Sequence, residues 1–422
     1  MSTRVAEAQA ARPSRGAAAC RSCGDDGLRV FLSLGELPLP DALLRPDELD
    51  GPEPRFPLDV AFCPGCSLVQ ILEEVPPEQL FVDNYLYFSS FSEGLMRHSR
   101  AYAERMIAER SLDERSLVVE IASNDGYLLR NFAERGIPVL GIDPAPEQAR
   151  AAEAAGVPTV REFFDAGLAQ RLMTEGKRAD LIVANNVMAH TPTLNSFVEG
   201  LSTLLADGGL ATIENTYVKD LIDHCEFDTI YHEHFCYFSC SAVDALVRRH
   251  GLALVDVEHF PSLQGGTLRW HVAHGTAVSE SARAWLEAER EQGLTDFAYY
   301  ERFGERVDGI RASLLELLRS RRAAGRSIAA YGAAAKGSTL VNFAGIGPDL
   351  VDFVVDRNVH KHGLHMPGTH LPIRDVGALL EEQPDDVLLL AWNYLDEVRG
   401  QQEEFVRRGG RFIVPVPEPQ VV

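Results

Sequence analysis

The sequence has no run of about 18 consecutive apolar residues, the length a helix needs to cross a bilayer. A membrane-spanning role is therefore not expected. The first sixteen residues, MSTRVAEAQAARPSRG, are polar and alanine-rich and lack the apolar middle of a secretion signal. We expect residues 1–16 to form a disordered tail. Basic residues are scarce too. The 40 Lys and Arg face 62 Asp and Glu, a formal net charge of −22, which argues against general nucleic-acid binding. It does not exclude a local basic pocket for a phosphorylated ligand, and the acidity itself suits solubility. G-x-G-x-x-G and H-E-x-x-H are both missing. The cysteine count is 7, an odd number, and with no secretion signal it points to a reducing cytoplasm.

What is present divides into zones. Residues 17–75 hold two cysteine pairs among short strand-like runs such as LRVFLSL and LDVAFC. Residues 76–110 open with Pro76-Pro77 and become helical; in their middle, NYLYFSSFS, Tyr85 and Tyr87 are candidates to cap a pocket, with an ordinary aromatic core stripe as the alternative. Residues 111–275 alternate apolar runs (SLVVEIA, PVLGID, ADLIVANN, LATIENT) with helical stretches and end in a hairpin, GLALVDVEHF and TLRWHVAH. Residues 276–422 begin with one long charged helix, about 278–322, and then alternate again through RSIAAYG, DLVDFVVD, DVLLLAW and RFIVPV. Alternation at this spacing predicts an α/β fold with parallel sheets covered by helices on both faces. The expected architecture is a Rossmann-like central domain, a small N-terminal domain and a second C-terminal Rossmann-like α/β domain.

Cys20-Arg21-Ser22-Cys23 and Cys63-Pro64-Gly65-Cys66 are two C-x2-C knuckles. Each turn presents two thiolates, and two knuckles complete a tetrahedral zinc site with no open position, hence a structural one. Redox chemistry or four unrelated buried thiols are the competing readings.

SLVVEIASNDGYLLRNF reads as strand, turn and helix. The strand PVLGID that follows ends in Asp143, and an acid at that tip can accept both ribose hydroxyls of a nucleoside. The turn from Ala122 has one glycine, Gly126, and so lacks the pattern that admits a pyrophosphate. That favours S-adenosylmethionine over a nicotinamide dinucleotide. Glu120, Asn124 and Asp125 add polarity suited to the methionine moiety. Phe163 and Phe164, between Glu162 and Asp165, offer an adenine pocket, and Asn185 and Asn186 end a strand at the same crevice.

The segment EFDTIYHEHFCYFS, 226–239, is the densest chemical patch. His232 and His234 face opposite ways in an extended chain, with Tyr231 and Glu233 beside them. An imidazole with a carboxylate and a phenol nearby makes a general base; a metal pair or a structural run are the alternatives. His190, closing NNVMAH, is a further candidate. In SIAAYGAAAKGST the small residues Gly332, Ala333 and Gly337 follow Tyr331, and Lys336 adds charge at a helix start, which suits a diphosphate. Asn342 lies one turn on, and Asp356 ends the next strand. An ordinary tight connection, or a nicotinamide site, would also use such a turn.

Together the paired knuckles, EIASNDGYLL, NNVMAH, DTIYHEHFCYFS and YGAAAKGSTLVN resemble the nucleotide-sugar C-methyltransferases of deoxysugar and antibiotic biosynthesis, over nearly the whole chain beyond the tail. The resemblance implies an N-terminal zinc domain, a central methyltransferase using S-adenosylmethionine, and a C-terminal domain that helps hold the nucleotide sugar. It implies that His234 removes a proton from carbon 3 of a 4-keto sugar carried on thymidine diphosphate. Tyr85, His190, Tyr231 and Glu233 match the supporting positions, with Tyr87 and His232 beside the sugar. O- or N-methylation on this scaffold, or a non-catalytic nucleotide-sugar binder, remain open. Oligomeric state is not readable from the sequence.

Overall fold

The computed structural model describes residues 19–81, 88–263 and 265–422. Tyr85 and Tyr87 lie outside them.

The N-terminal run folds into antiparallel strands β1 (Arg29–Pro38), β2 (Arg55–Phe62) and β3 (Val69–Ile71). β3 is buried along its length. The central sheet uses β4 (Val118–Ile121), β5 (Val139–Ile142), β6 (Thr159–Val160), β7 (Ala179–Asn185) and β8 (Leu205–Thr216). A short strand, β9 (Cys236–Tyr237), interrupts the chain before β10 (Leu252–Phe260) and β11 (Thr267–His274). The sheet order is β10-β11-β8-β7-β4-β5-β6, parallel from β6 to β8, with β11 antiparallel to both neighbours. This doubly wound order with one reversed strand is the class I S-adenosylmethionine methyltransferase fold. β4 is apolar except for Glu120 and buried at every position, as expected of a parallel strand covered on both faces.

The C-terminal sheet comprises β12 (Ile328–Tyr331), β13 (Val354–Asp356), β14 (Ile373–Asp375), β15 (Asp386–Leu389), β16 (Arg411–Val414) and β17 (Gln420–Val421). Its order is β14-β13-β12-β15-β16-β17, parallel apart from β17, which makes a second Rossmann-like unit.

Two expectations need correction. The long helix at 278–322 is two helices, Glu280–Glu291 and Phe303–Ala323. The first ends where Gly293 takes φ +82°, a left-handed stop that glycine adopts freely. In sequence Asp207-Gly208-Gly209 also reads as a turn before the run LATIENT; it is absorbed into β8 at a register shift, with Gly208 at φ +76°.

The parts interlock. β9 pairs with β3 (Val69 with Tyr237, Gln70 with Cys236), so the segment after His234 is stitched into the N-terminal sheet. Leu44 and His365 exchange backbone hydrogen bonds of 3.0 and 2.8 Å, and Glu53 accepts from the Gly368 N–H at 2.6 Å. These contacts join the N-terminal unit both to the segment after His234 and to the C-terminal unit.

Candidate active site

Doubly wound sheets bind ligands beyond the carboxyl ends of their strands, where strand order reverses. In the central sheet that point is the turn after β4. Here Ala122, Asn124 and Gly126 all have positive φ: +56°, +48° and +75°. The left-handed backbone is thus built with one glycine and two side-chain residues. Asparagine tolerates this region, while alanine does so at a cost of about 1 kcal/mol. Gly126 has a packing reason as well, since a Cβ there would come within 3.0 Å of the Val157 side chain and 3.3 Å of Ala152.

Beyond this turn lies a cleft of about 660 Å3. Its lining includes Ala122, Asn124, Asp143, Phe163, Phe164, Asn185 and Asn186 from the central unit. Tyr231, Glu233, His234 and His190 form its middle, Asp41 and Glu74 come from the N-terminal unit, and Lys336, Lys361 and Asn393 from the C-terminal unit.

Asp143 accepts from Asn124 N–H at 2.8 Å and Ala145 N–H at 2.9 Å, which orients its carboxylate at the cleft. Burial pushes its pKa up to about 6, against the pull of those two N–H groups. A ribose diol donates best to the ionised form. A nucleoside cofactor should therefore bind more tightly as pH rises through about 6, with affinity falling about tenfold per unit below it. Calorimetric titration of S-adenosylmethionine from pH 5 to 8 checks this; an Asp143→Asn variant with the same inflection would refute it.

Phe163 is partly exposed at the cleft, free to stack on a purine, while Phe164 is buried edge-on against Phe197. Asp165 caps the helix that follows by accepting from Leu168 N–H at 2.7 Å. Glu120 is corrected: it is buried in β4 and does not line the cleft. Burial, with Asp125 and Asp143 nearby, holds its carboxyl well above the usual range. Asn124 and Asp125 spend side-chain oxygens on the chain ahead of the helix Glu93–Arg110, accepting from Ser89 N–H at 2.9 Å and Ser90 N–H at 3.2 Å.

His234 donates its Nδ1–H to the Thr229 carbonyl at 2.9 Å. A carbonyl only accepts, so the proton sits on Nδ1 and Nε2 keeps its lone pair. Burial pulls the imidazole down to about 4, and the Lys336 charge adds to this. The ring is flanked by Tyr231 at 4.1 Å and His190 at 4.7 Å between centroids. His190 is likewise held well below its ordinary value, first by burial and then by His234. Glu233 is held well above the carboxylate range by burial and by Asp41, with Lys361 pulling the other way.

His232 is corrected. It points to the other side, its Nε2 3.2 Å from the carbonyls of Phe56 and Pro57, and it does not line the cleft. It ties the segment to the N-terminal sheet instead of meeting a ligand.

In the C-terminal unit Lys336 reaches the cleft at the start of the helix Ala335–Ala344. The neighbouring candidates shape the turn rather than line the cleft. Gly332 and Gly337 allow close packing, since added Cβ atoms would lie 2.9 Å from Ala391 and 2.7 Å from Leu390. Asp356 accepts from Ala333 N–H at 2.7 Å, Asn342 donates to the Ser338 and Pro367 carbonyls, and Tyr331 is buried in β12.

The four thiols of Cys20, Cys23, Cys63 and Cys66 lie within 4.8 Å of one another, with Cys20–Cys66 and Cys23–Cys63 at 3.5 Å. Tetrahedral zinc with bonds of about 2.3 Å spaces its sulfurs about 3.8 Å apart, so the donor set fits that ion. Without a cation the thiols cannot ionise together: the Cys66 thiol lowers Cys20 to about 5, and burial pushes Cys63 up to about 12.

Some cleft residues escape sequence reasoning. Asn215, at the end of β8, is buried with its Oδ1 lacking a partner among the described residues, as does Asn185 Oδ1. A polar residue closing an apolar strand was the available signal for Asn215. Asp41 lies in a turn and Asn393 in the short helix Trp392–Tyr394, neither with such a signal.

Family models match three successive stretches: a "Putative zinc binding domain" over residues 20–81, a methyltransferase domain over 95–257, and the C-methyltransferase C-terminal domain over 262–417. C-methyltransferase NovU of Streptomyces niveus is 37% identical over 406 residues, covering 96% of both chains. This chain belongs to the C-methyltransferase family. A ubiquinone biosynthesis O-methyltransferase of Methylobacterium sp. (strain 4-46) is 35% identical over only 106 residues, 24% of this C-methyltransferase and 41% of that enzyme. Among solved structures, one chain of a complex between the Haloferax volcanii Trm112 methyltransferase activator and a methyltransferase superposes with a TM-score of 0.35 at 16% identity, covering 46% of this chain and 100% of that one. Among the described residues no helix is long and apolar enough to cross a membrane.

Proposed function

We propose that this C-methyltransferase moves a methyl group from S-adenosylmethionine to a carbon beside the ketone of a nucleotide-linked 4-keto-deoxysugar. By family resemblance the carbon is carbon 3 and the carrier thymidine diphosphate. The observation that carries the reading is His234, whose proton is parked on Nδ1 by Thr229 while a neutral Nε2 shares one cleft with Asp143 and Lys336.

A hydrogen beside a ketone is acidic because its anion delocalises onto oxygen. His234 Nε2 takes that proton, and the electron pair moves onto the ketone oxygen as an enolate. Tyr231 and neutral His190 flank the base as donors to that oxygen. S-adenosylmethionine supplies an electrophilic methyl on a positively charged sulfur. The enolate carbon bonds to that methyl carbon as the carbon–sulfur bond breaks, and its electrons return to sulfur. Asp143 orients the nucleoside, and Lys336 at a helix start faces the diphosphate. The cysteine cluster holds zinc in a structural role. The protein acts in the cytoplasm, where its seven unpaired cysteines stay reduced, and needs neither nucleic acid nor membrane.

Incubation of a thymidine diphosphate 4-keto-deoxysugar with the enzyme in D2O, without methyl donor, tests this. Deuterium should enter at carbon 3, read by NMR. Label at carbon 5 would move the reaction along the ring, since a 4-ketone acidifies both neighbours. No deuterium entry here, with methyl transfer in a parallel incubation that contains S-adenosylmethionine, would favour O- or N-methylation.

A further inference from the structure

His234 is oriented by a carbonyl that belongs to a very short element. Thr229 closes the single-turn helix Phe227–Thr229, whose own geometry rests on the Thr229 hydroxyl donating to the Glu226 carbonyl at 2.7 Å. The middle residue, Asp228, is fully buried. Its Oδ2 accepts the indole N–H of Trp392 at 2.7 Å, a partner 164 residues away, and its Oδ1 has no partner among the described residues. The backbone N–H groups of Asp228 and Thr229 also act on this carboxyl, so Trp392 is its long-range side-chain partner, and a buried carboxyl held this way is costly to misplace. Phe227 packs edge-on against Phe343 of the C-terminal unit at 5.4 Å, which seats the turn but imposes no direction.

The other end of this contact lies in the ligand loop of the C-terminal unit. Trp392 follows β15, whose neighbour β12 marks the reversal of strand order in that sheet. Its ring sits 4.1 Å from Lys336 Nζ, and Lys336 donates to Asn393 Oδ1 at 3.2 Å. Ala391, Asn393 and Lys336 line the cleft.

We infer that Trp392 is a positioning residue that links the C-terminal ligand loop to the catalytic base, through Asp228 and the Thr229 carbonyl to His234 Nδ1. The inference rests on the proposed role of His234. The link makes proton removal depend on the seating of the loop that receives the acceptor. It acts on the orientation of the base and leaves methyl-donor binding alone. Trp392 touches neither the reacting atoms nor Asp143.

The test uses full-length protein with a thymidine diphosphate 4-keto-deoxysugar. Trp392→Phe keeps a ring beneath Lys336 and removes the N–H. Its kcat and its rate of deuterium entry in D2O should fall about tenfold, as expected for a base displaced by a fraction of an ångström. KM for the sugar and Kd for S-adenosylmethionine should stay within about twofold. Asp228→Ala should show the same loss, and the double variant should lose no more than either single, because both break one chain of contacts. Asp228→Asn, which can still accept from the indole, should recover most of the rate. Equal kcat and deuterium entry in a well-folded Trp392→Phe would overturn the link, as would losses that simply add. If Trp392→Phe fails to fold, the Asp228→Asn and Asp228→Ala pair decides alone: equal rates in the two would overturn it. Absence of deuterium entry in the unaltered enzyme would instead overturn the role of His234, and the link with it.

Discussion

Asparagine at position 234 should cut turnover by about a thousandfold while S-adenosylmethionine still binds within about twofold. A positioned general base supplies about 10²–10⁴ in rate, and asparagine can keep a donor toward the Thr229 carbonyl but has no lone pair basic enough to take a proton. Single-turnover kinetics beside donor titration separate the two effects. Turnover within about tenfold of the unaltered enzyme would remove His234 from the base role. The pH profile follows with a definite sign. Burial lowers the His234 pKa to about 4, below the ordinary value of 6.5. The imidazole is therefore neutral and competent across the neutral range and loses function only as pH falls toward 4. An acid limb near 6 at limiting donor belongs to Asp143, raised to about 6, and should vanish when donor saturates or in Asp143→Asn.

Serine at position 63 should remove zinc and unfold the N-terminal unit, with a loss of several kcal/mol in that unit. Cys63 is fully buried, and its knuckle is braced by its own N–H on the Leu68 carbonyl at 2.8 Å and by Ser67 N–H on the Cys63 carbonyl at 2.8 Å. Three thiols and a hydroxyl bind zinc far less well than four thiolates, and the clustered thiols then repel one another's ionisation. The damage should reach the active site. β9, two residues beyond His234, pairs with β3 of that unit, and His232 holds the Phe56 and Pro57 carbonyls. Activity should therefore fall with the metal although no step of the proposed reaction uses it. Elemental analysis should find one zinc per chain, and calorimetry should show an early separate transition in Cys63→Ser. A metal-free protein that melts unchanged and turns over normally would show that the thiols pack without an ion.

Local pattern alone carried much of this protein. The alternation of apolar runs with helical stretches encodes two doubly wound sheets, because each strand and helix must bury its own apolar side. The acid at the tip of PVLGID and the two C-x2-C knuckles are legible for the same reason: their chemistry is set by neighbours in sequence. So is the concentration of acid, phenol and imidazole in YHEH. Other features only the tertiary structure decided. Alternation predicts that His232 and His234 diverge, but which of them meets the cleft depends on β9 joining β3, a pairing across more than 160 residues. Glu120 looked like a ligand in sequence and is buried behind its own turn, because a parallel strand is covered on both faces. Ala122 and Asn124 conceal a left-handed turn that composition does not announce. Trp392 and Asp228 carry no mutual signal in sequence at all. Packing between separate units brings an indole N–H to a buried carboxylate 164 residues away, and no local pattern in either segment announces the meeting.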